Sequence, residues 1–240
     1  MRLVNNPIFL QSAGNNTPVV EEPVLRLMFN AADPTIQSVT GTGDIIIKSI
    51  KGGVETTQTV TDPSGDSISV QADKNTWIYL EGEVTELEHT SEKELVKLGA
   101  KNTALTQLNC SKCSVLQELN LSANTALTQL DCSYCYVLQT LDLSANTALT
   151  SLNCSSCYAL QTLDLSANTA LTELYCSDCP ALQTLKYPAT NFDVADAIAG
   201  AITDADADDG TVYTDSAADY YSTIADAATN KGWTIEQIVS

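Results

Sequence analysis

Positive charge is scarce in this 240-residue chain: 11 Lys and Arg stand against 30 Asp and Glu, a formal net charge of −19. Holding a nucleic-acid backbone depends on Lys and Arg neutralising its phosphates, so nucleic acid is excluded as the expected partner, and an anionic membrane with it. No run approaches the roughly 20 apolar residues that span a bilayer. The amino terminus, MRLVNNPIFLQSAGNNTPVVEEP, has only a short apolar patch, Ile8 to Leu10, where a secretory signal needs a continuous apolar core and a small-residue cleavage site. No glycine-rich phosphate loop follows a strand, and the single histidine, His89, occupies an inward, leucine-equivalent place that suits packing better than catalysis. An enzyme is therefore not expected, and neither is a cofactor. What is plentiful is ordinary: 44% hydrophobic and 17% charged residues exclude wholesale disorder.

The chain repeats itself. NTALTQLNCSKCSVLQELNLSA (102–123), NTALTQLDCSYCYVLQTLDLSA (124–145), NTALTSLNCSSCYALQTLDLSA (146–167) and NTALTELYCSDCPALQTLKYPA (168–189) follow one another without insertion at a period of 22. A weaker period of 11, L-x-x-L-x-[L/C]-x-x-[N/C], runs inside it. Worn copies extend it upstream through Val84, Leu87 and His89, then Leu95, Leu98 and Ala100. The two-residue alternation in L-x-C and L-x-L predicts short strands with one buried face. Because Cys and Leu alternate at the sixth position, one coil needs 22 residues and has a Cys side and a Leu side. A lone coil cannot cover its own leucines, so the coils must stack, about 4.8 Å apart.

These columns resemble leucine-rich repeat proteins of the short nested kind, with two eleven-residue halves. The resemblance covers residues 84–190 and rests on the leucine columns together with Asn102, Asn124, Asn146 and Asn168. It implies that these asparagines turn inward and bond the backbone of the adjoining loop. The chain departs from the commonest pattern in carrying Cys where the other half-repeat has Asn.

Eight cysteines form four C-x-x-C pairs: Cys110 and Cys113, Cys132 and Cys135, Cys154 and Cys157, Cys176 and Cys179. The interval between pairs falls within zinc-ribbon spacing. Yet the first cysteine of each pair takes a buried leucine place and the second an asparagine place. Parallel, in-register side chains also point the same way, which disfavours disulfides between coils. Reduced structural ladders are the expectation, with a metal site and disulfides as the competing readings.

The fold expected is α+β, mainly β: a leucine-rich-repeat solenoid of about five 22-residue coils between two terminal units. Residues 1–22 form a polar arm, 23–83 a small β-sandwich, 84–190 the solenoid and 191–240 an α/β cap. The sandwich strands are VLRLMF, DIIIKSI, VETTQTV, SISVQA and TWIYLEGEV, with turns at 41–43, 51–53 and 62–66. The run 41–87 resembles the PKD-like sandwich that precedes leucine-rich repeats in proteins of gut Bacteroidetes and their phages, although KGG stands where that family has W-G-D-G. In the cap, helices are expected at 194–202 and 216–231 and strands at 211–214 and 233–239. Between the helices, Asp204, Asp206, Asp208 and Asp215 occupy positions 1, 3, 5 and 12 of a calcium loop, but Asp209 stands where that loop needs Gly. A solvated acidic turn is the competing reading.

Function is expected to be recognition, adhesion or scaffolding toward a protein or surface glycan. Candidate contact residues are Lys112, Tyr134, Tyr136, Tyr158, Tyr175 and Asp178, which vary between otherwise near-identical copies. A structural appendage of a phage particle is the alternative, made in a cytoplasm and released by lysis, with the arm as a place where chains assemble. A cell-surface location by another route and a metal-binding module are the further alternatives.

Overall fold

The structure is a computed structural model that describes residues 24–91, 94–100, 104–186, 211–214 and 234–237. Six longer strands come first: β1 (Val24–Phe29), β2 (Thr35–Lys51), β3 (Val54–Thr61), β4 (Ser64–Ser69), β5 (Trp77–Glu88) and β6 (Leu95–Ala100). Three-residue strands follow: β7 (Gln107–Asn109), β8 (Glu118–Asn120), β9 (Gln129–Asp131), β10 (Ser151–Asn153), β11 (Thr162–Asp164), β12 (Glu173–Tyr175) and β13 (Thr184–Lys186). Then come β14 (Thr211–Thr214) and β15 (Thr234–Gln237).

The short strands stack in parallel on two sides of a solenoid. On the Cys side Leu87, Leu108, Leu130, Leu152 and Leu174 are successive partners through β5, β7, β9, β10 and β12. On the Leu side Leu98 pairs Leu119, a bridge joins Thr140 to Thr162, and Leu163 pairs Leu185. Every one of these leucines except Leu119, at 8%, is 2% exposed or less. Burying each is worth roughly 1.5–3 kcal/mol, and only a neighbouring coil can supply the cover. β14 and β15 continue the Leu-side sheet in parallel after β13, in line with the strands expected near the carboxyl end. The helices expected at 194–202 and 216–231, and the arm 1–22, lie outside the described residues.

At the other end β1 pairs antiparallel with both β5 and β6. It thereby joins the Cys-side ladder to the first two Leu-side strands, β6 and β8, in one eleven-stranded sheet, while β11, β13, β14 and β15 form a second sheet; the sandwich expected over 23–83 is thus not a separate sheet. The link is β5: its first half pairs β1 and the far half of β2, and its last three residues are the first rung of the Cys side. One hydrophobic core therefore runs from Leu25 to Leu185. β1 covers the edge of the first coil on the Leu side and β2 covers it on the Cys side, edges that would otherwise invite edge-to-edge pairing.

Two of the expected turns behave differently. Gly52 and Gly53, at φ 59° and 76°, form the two-residue turn between β2 and β3. The GTG at 41–43 is no turn but an irregular stretch inside β2, where the β2–β5 register shifts between Thr40 and Gly41 and again between Thr42 and Ile46. A Cβ at Gly41 would lie 2.7 Å from the Glu83 carbonyl oxygen. The missing side chain thus allows close passage of two strands, a role of strand glycine that looks like a turn signal in the sequence.

Candidate functional site: the Cys-side face

Three polar devices each tie one coil to the next, two in the Cys half and one in the Leu half. The hydroxyls of Thr106, Thr128, Thr150 and Thr172 donate to the carbonyls of Thr85, Thr106, Thr128 and Thr150 at 2.9–3.1 Å. The second cysteine of each pair donates its thiol to a carbonyl of the preceding coil: Cys135 to Cys110, Cys157 to Cys132 and Cys179 to Cys154, each at 3.3 Å. In the Leu half, asparagine does the same work with one more donor. Asn146 Nδ2 reaches the carbonyls of Leu121 (3.1 Å) and Asn124 (2.8 Å), and Asn168 Nδ2 those of Leu143 and Asn146 at the same distances. Both residue types bond a carbonyl 25 residues earlier. A cysteine here is an asparagine with one weak donor and no second polar atom. The difference is visible in what is left over: Asn146 and Asn168 each bury an Oδ1 with no hydrogen-bond partner, and cysteine carries no such strong acceptor.

All eight cysteines are unbridged and 0–1% exposed. Burial pushes the Cys113 and Cys179 thiols up to about 12. Cys110 and Cys132 are raised well above the ordinary thiol range, chiefly by their hydrogen bonds with the thiols of Cys135 and Cys157 and then by burial. Burial does the same to Cys154 and Cys176. Such thiols stay protonated at neutral pH and are poor nucleophiles and poor metal ligands. Among the described residues no cluster of three or more His, Cys, Asp or Glu is placed to hold a metal ion. The calcium-loop candidates Asp204, Asp206, Asp208 and Asp215 lie outside the described residues.

His89 proves to be the first rung of the first cysteine column. Its amide donates to Asn109 O, as the amides of Cys110, Cys132 and Cys154 donate to Asp131, Asn153 and Tyr175. Its ring lies edge-on to Phe29 of β1, 4.9 Å between centroids, and is 1% exposed. Burial lowers its pKa to about 4, a shift the backbone of Thr35 offsets only in part, and neither ring nitrogen has a partner at good geometry.

Outside, the turns obey two local rules. The first is an Asx turn at the end of each rung. Asn109, Asn120, Asp131, Asp142, Asn153 and Asp164 accept the amide of the serine two residues on, at 2.9–3.1 Å. Asp131, Asp142 and Asp164 therefore build turns, a role their repetition alone did not disclose; the Ser144 hydroxyl and amide hold the Asp142 carboxyl below its usual range. The second rule applies only to the Cys-x-x-Cys turns, whose third residue is left-handed: Lys112, Tyr134, Ser156 and Asp178 have φ of 61°, 59°, 58° and 55°. That conformation aims each amide along the solenoid, so Lys112 N bonds Ser133 O, Tyr134 N bonds Ser155 O and Ser156 N bonds Ser177 O, at 2.7–2.8 Å.

The candidate contact residues fall on this half. Tyr136 and Tyr158, one coil apart, stack with centroids 4.8 Å apart and planes 20° from parallel; Tyr134 meets Tyr136 edge-on at 6.3 Å. Tyr175 stands apart from them, on the sheet face, in register with Asn153 and through it with Asp131. It is the residue at which the Asx rule lapses. A groove of about 390 Å³ crosses that face from Glu86 and Glu88 past Gln107, Gln129 and Asp131 to Tyr175. Lys112 and Asp178 sit at the two ends of the left-handed column, outside the groove lining. The structure thus brings Tyr134, Tyr136 and Tyr158 together, places Lys112 one coil from Tyr134 in the same column, and sets Tyr175 on the sheet face. Glu86 and Glu88 stand in register with Gln107 and Asn109 of the next coil, so they occupy the same outward columns with a charge in place of an amide.

No family model and no curated protein matches this chain. Among solved structures it is similar to the functional domain of InlJ from Listeria monocytogenes, which includes a cysteine ladder. The identity is 19% over 64% of this chain and 52% of that one, with a TM-score of 0.15. The chain spans about half the length of that structure, and so weak an overlay transfers no residue's role. By its own geometry, the chain is a mostly β solenoid of leucine-rich coils with an internal cysteine ladder.

Proposed function

We propose that the chain is a non-enzymatic recognition protein that presents the outer surface of its Cys half to a protein partner. The observation that carries this reading is where the aromatics stand. Of the exposed large hydrophobic side chains among the described residues, Tyr134, Tyr136, Val137, Tyr158 and Tyr175 belong to the Cys half, and only Val54 lies elsewhere. Two of them also break the local rules of the repeat. Tyr134 occupies a left-handed position that favours Gly or Asn, and Tyr175 replaces an Asx-turn acceptor. Residues kept against local preference, exposed and aromatic, are what a docking surface retains and a bare scaffold would lose.

In this reading residues 84–190 are the presenting solenoid, and the units at 23–83 and 191–240 close its ends. The experiment compares the protein with its Tyr134→Ser, Tyr136→Ser, Tyr158→Ser, Tyr175→Ser variant on parallel peptide and glycan arrays, with circular dichroism as the check on folding. Peptide signals that vanish in the folded variant support the reading. Signals that are confined to glycans, or that survive the four changes, overturn it.

A further inference from the structure

We propose that the partner segment docking on this face is cationic: an extended, arginine-bearing stretch of protein. Its charges lie along Glu86, Glu88 and Asp131, and a guanidinium rests on the tyrosine cluster. The inference rests on the recognition reading and adds the chemistry of the partner. Three carboxylates line the groove and no Lys or Arg does. Two of them are unspent: among the described residues neither Glu86 nor Glu88 takes part in an ion pair or a side-chain hydrogen bond. By contrast the carboxylates of Asp33, Glu81, Glu118 and Asp164 are each matched by a lysine. A groove with two unmatched carboxylates sits in a chain of net charge −19, and both favour a positive partner.

The dimensions fit a strand. From the first Cys-side rung to that of Tyr175 there are four rung intervals, about 19 Å, the length of about six extended residues. The amide-bearing Gln107 and Gln129 between the acids offer hydrogen bonds to such a backbone. Tyr134 follows Asp131 by three residues on the same coil, so the tyrosine cluster begins at the turn that ends the Asp131 rung. Tyrosine faces attract arginine, and a stacked pair with an edge-on third ring is a broad platform for it.

The probe is a labelled octapeptide of alternating Arg and Ser, read by fluorescence anisotropy, against a Glu–Ser octapeptide and maltohexaose. The expected result is binding of the Arg peptide alone, weakened at least tenfold between 50 and 300 mM salt, the dependence that exposed charges impose (roughly that range on Debye screening). Glu86→Gln with Glu88→Gln, and separately Tyr136→Ser with Tyr158→Ser, each weaken it about tenfold or more. Asp44→Asn with Glu55→Gln removes the same charge from the exposed surface of β2 and β3 and leaves binding within about twofold. Equal losses in both charge pairs would reduce the effect to the field of an acidic protein and overturn the proposal, as would indifference to the tyrosine pair. If Tyr136→Ser with Tyr158→Ser abolishes binding of a neutral peptide found on the arrays while the Arg peptide never binds, the cationic partner fails and recognition stands. If no ligand responds to the tyrosines, the recognition reading itself fails.

Discussion

At the scale of single residues, the exchange of Asn for Cys between half-repeats is an exchange of hydrogen-bond inventories. Asparagine makes two bonds to the preceding coil and leaves an acceptor orphaned; cysteine makes one weak bond and brings no strong acceptor to satisfy. Cys135→Ala should lower unfolding free energy by about 1–3 kcal/mol, because it empties a fully buried site and removes that bond. Chemical denaturation checks it. The thiols, all buried, should react with a thiol reagent at the rate of coil opening, and all eight promptly in denaturant. The tyrosines predict the opposite sign. Tyr134→Asn suits the left-handed turn and Tyr175→Asp restores an Asx acceptor, so each should stabilise by roughly 0.5–1 kcal/mol while weakening partner binding. A thermal melt together with the Arg-peptide titration reads both effects at once.

At the scale of elements, the first rung explains more than the repeats that follow it. β5 carries the chain out of the amino-terminal ladder into the Cys side, and His89 just beyond it occupies a column that cysteine fills thereafter. Buried against Phe29, the ring is neutral in the fold, with its pKa lowered to about 4 from 6.5. The unfolded chain therefore binds the proton first on acidification. The contribution of neutral His89 to stability is complete above pH 6.5, declines as pH falls, and is lost once pH passes the folded value near 4. It amounts to about 3 kcal/mol at most. His89→Leu should flatten the stability profile between pH 6.5 and 4, measured by urea unfolding across that range. Little of this was legible beforehand. Spacing placed His89 inward, at a leucine-equivalent position, but its true column and its partner Phe29 depend on a strand 60 residues earlier. The same limit applies to Gly41–Gly43, whose composition reads as a turn and whose contacts make it a place where strands pass closely.

At the scale of the whole molecule, the 22-residue identity period has a mechanical meaning. Each coil is tied to the last by a threonine hydroxyl, a thiol, an asparagine amide and a left-handed backbone amide, all at fixed register. Removing residues 146–167 deletes one complete set and should leave a folded, shorter solenoid, its melting temperature lower by about 5–10 °C. Removing only the eleven residues 146–156 brings a Leu half where a Cys half belongs. The left-handed turns then lose their neighbours, and that variant should lose cooperative melting. Circular dichroism and calorimetry on the two deletions check the contrast.

The leucine, asparagine and cysteine columns could be read from the sequence because burial in a solenoid repeats at the same interval as the chain itself. A two-residue alternation, recurring every 22, leaves one stacking arrangement that covers every leucine. The positive φ of the Cys-side turns, the Asx role of Asp131, Asp142 and Asp164, and the fusion of both ladders through β1 were settled only in three dimensions. Their cause is physical. An amide in one coil bonds a carbonyl in the next whatever side chain it carries, and β1 pairs with strands separated from it by tens of residues. The outward tyrosines belong to both accounts: their variation is written in the sequence, but the stacking of Tyr136 on Tyr158 with Tyr134 edge-on exists only once the coils are wound.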